Sequence, residues 1–263
     1  LCDHFHVDFT NAKRMSNFYD DMAPLYHLIF QDWDASIAHQ GEVLGNLVRE
    51  RWGQDMRSIL DVSCGIGTQA IGLAQQGFQV TGSDLSPSAI ARAERETAER
   101  QLDIRYSVCD MRAAFDHHGG GFDVVVSCDN SITHLLSEED ILRALKQMLA
   151  CIRPGGGCLL TIRDYDKEPR GQGLFKPYGT REHDGKRIAI FQVWDFEGDQ
   201  YDLAMYFVED DRRSDEGRAR IMRSRYHAIS PNRLAALMRA AGFADVARID
   251  DRFYQPVLVG TRP

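Results

Sequence analysis

The chain has 263 residues, enough to bury the core of one large domain or of one domain with a substantial insertion. Its 43% hydrophobic and 27% charged content is ordinary for a globular protein, and a formal net charge of −8 argues against general affinity for nucleic-acid backbones. No apolar run approaches the length of a membrane span, and the first residues lack the apolar stretch of a secretory signal.

In chain order, residues 18–51 read as helical, with Phe18, Met22, Leu25, Leu28 and Ile29 at helical spacing and Asp34 as a cap for a second helical segment carrying Ile37, Val43, Leu44 and Leu47. An alternation follows: strand at Ser58–Val62, helix at Thr68–Gln76, strand at Phe78–Gly82, helix at Pro87–Arg100 after a Ser86 cap. Strands at Ile104–Val108 and Phe122–Cys128 flank a turn at His117–Gly121. A helix over Glu138–Cys151 is stopped by Pro154-Gly155-Gly156-Gly157, and a fifth strand runs over Cys158–Arg163. Strands alternating with helices predict a doubly wound, mostly parallel sheet.

Beyond Arg163 the pattern changes. Residues 164–185 are polar and rich in Gly and Pro and read as a mobile loop. Three strand-like runs, Arg187–Phe196, Tyr201–Glu209 and Arg218–Ala228, then predict a small antiparallel insertion, because no linker isolates them as a second domain. Ser230-Pro231 opens a helix ending at Gly242, and Asp245–Ile249 and Tyr254–Gly260 read as a closing hairpin that completes seven strands. The organisation expected is therefore a single domain: a helical lid (1–51), a core (52–163), an insertion (164–228) and a closing helix and hairpin (229–263).

Cys2, Cys64, Cys109, Cys128, Cys151 and Cys158 show no C-x-x-C spacing, which favours a cytoplasmic, disulfide-free protein. Adjacent His117 and His118 in a Gly-rich stretch, with no third ligand at a sensible spacing, read as a solvated turn, so no metal is expected.

The chemistry concentrates at strand ends. Asp61-x-Ser63-Cys64-Gly65-x-Gly67 ends the first strand and opens a helix, and Asp84 ends the second. Gly65-x-Gly67-x-x-Ala70 also satisfies the loose dinucleotide pattern. Asp61 separates the two cofactor classes: its carboxylate would repel a pyrophosphate and attract the cationic, phosphate-free S-adenosylmethionine (SAM), with S-adenosylhomocysteine as product. Asp84, followed by Leu85, is suited to the ribose hydroxyls, although the glycines can also simply build a turn and Asp84 cap a helix. After the third strand, Asp110 can meet an adenine amino group and Met111 pack on the ring, or serve as turn carboxylate and core methionine. Cys128-Asp129-Asn130-Ser131 ends the fourth strand beside the expected methyl group. Asn130 offers a donor and an acceptor suited to orienting an amine, and Asp129 is a candidate base or a helix cap.

Three stretches, Leu60–Ile71, Gly77–Asp84 and Phe122–Leu135, resemble class I SAM-dependent methyltransferases. The strongest likeness is to the glycine and sarcosine N-methyltransferases, through Asn130-Ser131 with His134-Leu135 and through Arg163-Asp164-Tyr165-Asp166. The resemblance implies a Rossmann-like seven-stranded sheet, a substrate carboxylate held by Arg163 and an N-terminal segment closing over the cofactor. In that segment it implies a tyrosine, Tyr19 or Tyr26, near the sulfonium and Trp33 over the methionine moiety or ribose. Aromatic faces attract a sulfonium as they do other cations, while the same residues can instead be core. Arg163 can alternatively pair with Asp164 or Asp166. Asp164 stands where the family has Asn and Asp129 is also acidic, which points to a pocket more negative than one made for glycine and to a larger cationic or heterocyclic amine. The insertion's Phe191, Trp194, Tyr201, Tyr206 and Tyr226 line a substrate lid or form its own core.

The function expected is transfer of the SAM methyl to a nitrogen of a small molecule, with Asn130, His134 and Arg163 positioning it and Asp129 accepting a proton. A small-molecule O-methyltransferase, an NAD-dependent oxidoreductase and a non-catalytic SAM-binding protein are the competing readings. Partners are limited to a small-molecule substrate, with no nucleic acid and no membrane, and self-association is left open.

Overall fold

A computed structural model describes residues 17–211 and 217–263. The first sixteen residues of the expected lid, with Cys2, and residues 212–216 of the charged turn lie outside them. Seven strands form one sheet: β1 (Ser58–Asp61), β2 (Gln79–Asp84), β3 (Arg105–Val108), β4 (Phe122–Ser127), β5 (Ile152–Thr161), β10 (Ala244–Ile249) and β11 (Val257–Thr261). Their spatial order is β10-β11-β5-β4-β1-β2-β3. β1 pairs in parallel with β2 and β4, whereas β11 runs antiparallel to both β5 and β10. This is the class I methyltransferase arrangement, with a single reversed strand. Helices on both faces explain why Val124, Val125 and Val126 form an unbroken apolar run, since each is fully buried.

The crossover helices are α1 (Trp33–Trp52), α2 (Thr68–Gln75), α3 (Pro87–Glu99), α4 (Ala114–His118), α5 (Glu138–Cys151) and α6 (Pro231–Ala241). Ser86 and Ser230 cap α3 and α6 with Pro at the first turn, as their sequences predict. α1 and α2 touch backbone to backbone: a Cβ on Gly41 would stand 2.3 Å from the Gly72 carbonyl. Among the described residues no helix is long and apolar enough to cross a membrane.

Four departures from the sequence reading have physical causes. The helix expected over 18–51 is broken. Residues 17–22 are helical, a turn follows, and Tyr26–Ile29 is a short 3₁₀ helix. Pro24 has no N–H to donate and disfavours helical backbone at Ala23, so the chain bends there. The cap of α1 is Asp32, whose carboxylate accepts from the Ala35 amide, while Asp34 lies in the first turn and pairs with Arg100. Nearly half of the supposed loop 164–185 is an additional strand, β6 (Leu174–His183). It is an edge strand with a register shift between Pro177 and Gly179, the setting in which a sheet tolerates proline. Tyr254 precedes β11 instead of belonging to it, so that it sits in the β10–β11 connection.

β6, β7 (Lys186–Glu197), β8 (Gln200–Asp210) and β9 (Gly217–His227) make a four-stranded antiparallel sheet. Its inner face buries Trp194, Tyr201 and Phe207, and these pack in one continuous core with Met22, Leu60 and Met148. Among the described residues, the inner face of the small sheet shares its core with the seven-stranded sheet.

Candidate active site

The carboxyl ends of β1, β2 and β4 converge on two adjoining cavities. The smaller, about 60 Å³, is lined by Val62, Ser63, Gly65, Asp84, Leu85, Ser86, Cys109, Asp110, Met111, Ser131, His134 and Leu135, together with Tyr19 and Tyr26. Gly65 adopts φ +53°, open to glycine at no steric cost, and its amide donates to Asp84 Oδ2 at 2.9 Å. Asp84 Oδ1 accepts from the Ser86 amide at 2.9 Å, so one carboxylate ties the glycine turn to the start of α3. Burial raises the Asp84 pKa, and these backbone donors pull it back.

Asp61 is fully buried. Its Oδ1 accepts from the Ser63 amide at 3.1 Å, its Oδ2 has no hydrogen bond, and burial pushes its pKa up to about 7. An unpaired buried carboxylate oxygen is costly, and a cationic donor arriving beside it relieves that cost. Among the described residues no Lys or Arg lines the smaller cavity, which leaves a pyrophosphate without a cation and suits a phosphate-free, cationic nucleoside. The donor set therefore fits SAM and disfavours a dinucleotide.

The larger cavity, about 650 Å³, is walled by Phe18, Tyr178, Trp194, Tyr201, Tyr226 and Tyr254 and contains Asp129, Asn130, Arg163 and Glu168. Tyr19 and Tyr26 line both cavities and stand at the boundary, their rings 5.8 Å apart. Asp129 and Asn130 both have left-handed backbone, φ +54° and +66°, a costly conformation for two consecutive non-glycine residues. β5 holds them there: the Asp129 amide donates to Thr161 Oγ1 at 2.7 Å and the Asn130 amide to the Thr161 carbonyl at 3.0 Å. The Asp129 carboxylate accepts from the Tyr254 hydroxyl at 3.1 Å and from Gln255 Nε2 at 3.4 Å. Burial raises its pKa, while the Tyr254 and Gln255 donors, the Arg163 charge and the nearby Tyr26 hydroxyl lower it.

The fold brings most of the expected site residues together but gives several different partners. Asn130 is already committed: Oδ1 accepts from the Arg163 amide at 3.0 Å and Nδ2 donates to the Tyr165 hydroxyl at 2.7 Å. These two bonds use one N–H and one lone pair of the amide, and the residue lines the larger cavity. His134 Nε2 lies 2.8 Å from the Tyr19 hydroxyl and Nδ1 3.4 Å from Ser224 Oγ, so it stands behind Tyr19 on the nucleoside side. Burial lowers its pKa to about 3, and the ring is neutral at physiological pH. Arg163 does line the larger cavity, but it pairs with Glu168 (3.2 Å), not with Asp164 or Asp166, and stacks on Trp194 at 4.7 Å. Glu168 also holds Lys176 at 2.6 Å, and Asp164 is taken by Arg248 and Lys167. Asp110 lines the nucleoside cavity while its carboxylate is bound bidentately by Arg112.

Trp33, Asp61, Gly67 and Cys128 line neither cavity. Trp33 donates to Thr68 Oγ1 at 2.9 Å and lies between the Arg92 and Arg100 guanidiniums, each within about 5.3 Å of its ring. Gly67 provides the left-handed cap of α2, and Cys128 is core. Of the insertion aromatics, Trp194, Tyr201 and Tyr226 face the cavity; Phe191 and Tyr206 stack on each other elsewhere in the small sheet. Sequence reasoning missed Tyr178, Tyr254, Gln255 and Glu168. Each lies in a segment read as loop or strand, with no local motif to mark it.

Residues 59–156 match the family model described as a methyltransferase domain. A glycine/sarcosine N-methyltransferase of Parasynechococcus marenigrum is 33% identical over 186 residues, 66% of this chain and 65% of that relative, a little under two thirds of its length. Among solved structures, Streptomyces venezuelae DesVI superposes with a TM-score of 0.75 at 21% identity, covering 98% of this chain and 100% of that one. SAM-bound CalS10 of Micromonospora echinaspora, described as an amino pentose methyltransferase, does so with a TM-score of 0.75 at 18% identity over the whole of both chains.

Proposed function

On the premise that this chain carries a class I SAM-dependent methyltransferase domain, we propose that it methylates a nitrogen of a small-molecule amine larger than glycine. The cofactor supplies a methyl group already activated on a sulfonium, so the protein needs to contribute alignment and a place for the acceptor's proton. Asp84 and the Gly65 turn hold the nucleoside, with Met111 against the base, while Asp61, fully buried and outside both cavities, acts on the cofactor's positive charge only through its field. Tyr19, fixed by His134, and Tyr26 present their rings at the boundary between the cavities, where a cation is stabilised.

The observation that carries the reading is Asp129. Its carboxylate is placed by a left-handed turn in the wall of the larger cavity, which Tyr26 also lines, and has a raised proton affinity. Such a group attracts a protonated amine and takes its proton, leaving the nitrogen lone pair free to attack. Glycine fits this cavity poorly. A volume of about 650 Å³ lies in the range that takes drug-sized ligands, even after the amino-acid end of the cofactor uses part of it. Arg163, the expected carboxylate clamp, is already paired with Glu168. Aromatic walls and the amino pentose described for the CalS10 substrate support a ring-borne amine. The raised proton affinity of Asp129 also suits a hydroxyl acceptor, which makes an O-methyltransferase the second reading.

The test is turnover of SAM labelled in its methyl group with a panel of ring-borne amines, their hydroxyl analogues, glycine and sarcosine, with the product resolved by NMR. Label on nitrogen of a ring-borne amine, at rates above those for glycine, is expected. Label on oxygen alone, or a preference for glycine, would contradict the proposal.

A further inference from the structure

The methyl transfer makes no use of the paired histidines that end α4. His117 Nε2 lies 3.0 Å from the Ser107 hydroxyl on β3, and His118 Nε2 lies 3.0 Å from the Ser83 hydroxyl on β2. The rings meet edge to face with centroids 4.6 Å apart. The fold then supplies the third donor that the sequence spacing does not reveal. Cys109 follows β3 directly, and its sulfur and one nitrogen from each histidine all lie within 4.8 Å of one another.

We propose that Cys109, His117 and His118 form a binding site for a thiophilic divalent cation of the Zn²⁺ type. A tetrahedral cation with bonds of about 2.0–2.3 Å holds its donors about 3.5 Å apart. The three donors reach that spacing by moving about 1 Å, a shift that imidazole rotation at a helix end accommodates. One thiolate and two imidazoles select Zn²⁺ over Mg²⁺ or Ca²⁺, which take oxygen ligands. The serine hydroxyls are the partners a ligating imidazole uses through its other nitrogen to fix its orientation. A ring whose Nε2 stays on its serine has Nδ1 to offer. Burial is graded, with Cys109 buried, His118 intermediate and His117 exposed, so the fourth coordination position faces solvent and the cation has a route in. On binding, the Cys109 S–H bond is exchanged for a sulfur–metal bond and the proton passes to water, with no change of oxidation state.

Chelator-stripped protein titrated with Co²⁺ alone tests the site. A thiolate-to-cobalt charge-transfer band saturating at one equivalent and bleached by Zn²⁺ is expected. Cys109→Ser abolishes that band, and His117→Ala and His118→Ala each weaken Co²⁺ binding about tenfold or more. Absence of the band, or a band that survives Cys109→Ser, overturns the proposal, since the cation then sits on another thiol such as Cys2 beside His4 and His6. Should Cys109→Ser fail to fold, the histidine variants decide, and unchanged Co²⁺ affinity in both overturns it.

Discussion

The two cavities that meet at Tyr19 and Tyr26 are assembled in different ways. The nucleoside cavity is built almost wholly from residues 62–135, at the ends of strands that neighbour one another in the sheet. Its key contacts join side chain to backbone, as when Asp84 receives the Gly65 and Ser86 amides. The acceptor cavity draws on six segments: the N-terminal helical turns, α1, the end of β4, the stretch after β5, the small sheet and the β10–β11 connection. Its walls are tied largely by side-chain to side-chain contacts, as in Tyr254 to Asp129 and Arg163 to Glu168, around the backbone-held Asp129–Asn130 turn. A pocket of the first kind is set by the backbone and tolerates little change, whereas one of the second kind can be re-lined without disturbing the sheet.

The largest expected effect separates the two. Asp84→Ala frees the Gly65 turn and, on the proposed reading, removes the acceptor of the ribose hydroxyls, so that S-adenosylhomocysteine affinity measured by calorimetry should fall by about 10²-fold or more. If affinity is retained, the nucleoside cavity is not organised by the strand-end carboxylate. A smaller effect sharpens the role of Asp61. Its folded pKa of about 7 lies above its unfolded value near 3.9, so the native state holds the proton more tightly. That contribution to stability is complete below about pH 4 and is lost as pH rises to about 7. Thermal melts of the ligand-free protein should show it, and Asp61→Asn should flatten the profile over that window. An identical profile in the variant would mean that Asp61 does not carry the penalty.

These cases also indicate what the sequence makes legible. The parallel core was readable because each of its signals is local: Ser86-Pro87 caps α3, the valines of β4 form a buried run, and Asp61 and Asp84 fall one strand apart. β6 was not readable, because edge position and a bulge permit Pro177 and Gly179, which are loop signals in isolation. Asn130 and His134 stand out in the sequence, but their partners Tyr165, Tyr19 and Ser224 come from elsewhere in the chain, so their hydrogen bonds could not be read. The partners of Asp129 and the cluster of Cys109 with His117 and His118 were hidden for the same reason. Sequence shows which groups are present at a strand end; tertiary packing decides which remain free.

The smallest effect is purely structural. Gly41→Ala forces a methyl group against the Gly72 carbonyl, where no flexible side chain can give way, and should cost about 1–3 kcal/mol in denaturant melts with S-adenosylhomocysteine affinity little changed. A large loss of affinity would tie the α1–α2 contact to the nucleoside cavity and weaken the separation between the two halves.

The most direct test of the account is single-turnover kinetics of Asp129→Asn with an amine acceptor, alongside its affinity for S-adenosylhomocysteine. The account predicts methyl transfer slowed by about 10²–10⁴-fold with cofactor affinity intact, as expected for a positioned proton acceptor. In the unsubstituted protein, kcat/KM should fall as pH drops through a carboxyl pKa raised above the ordinary range. An Asp129→Asn enzyme that turns over at the full rate would contradict it.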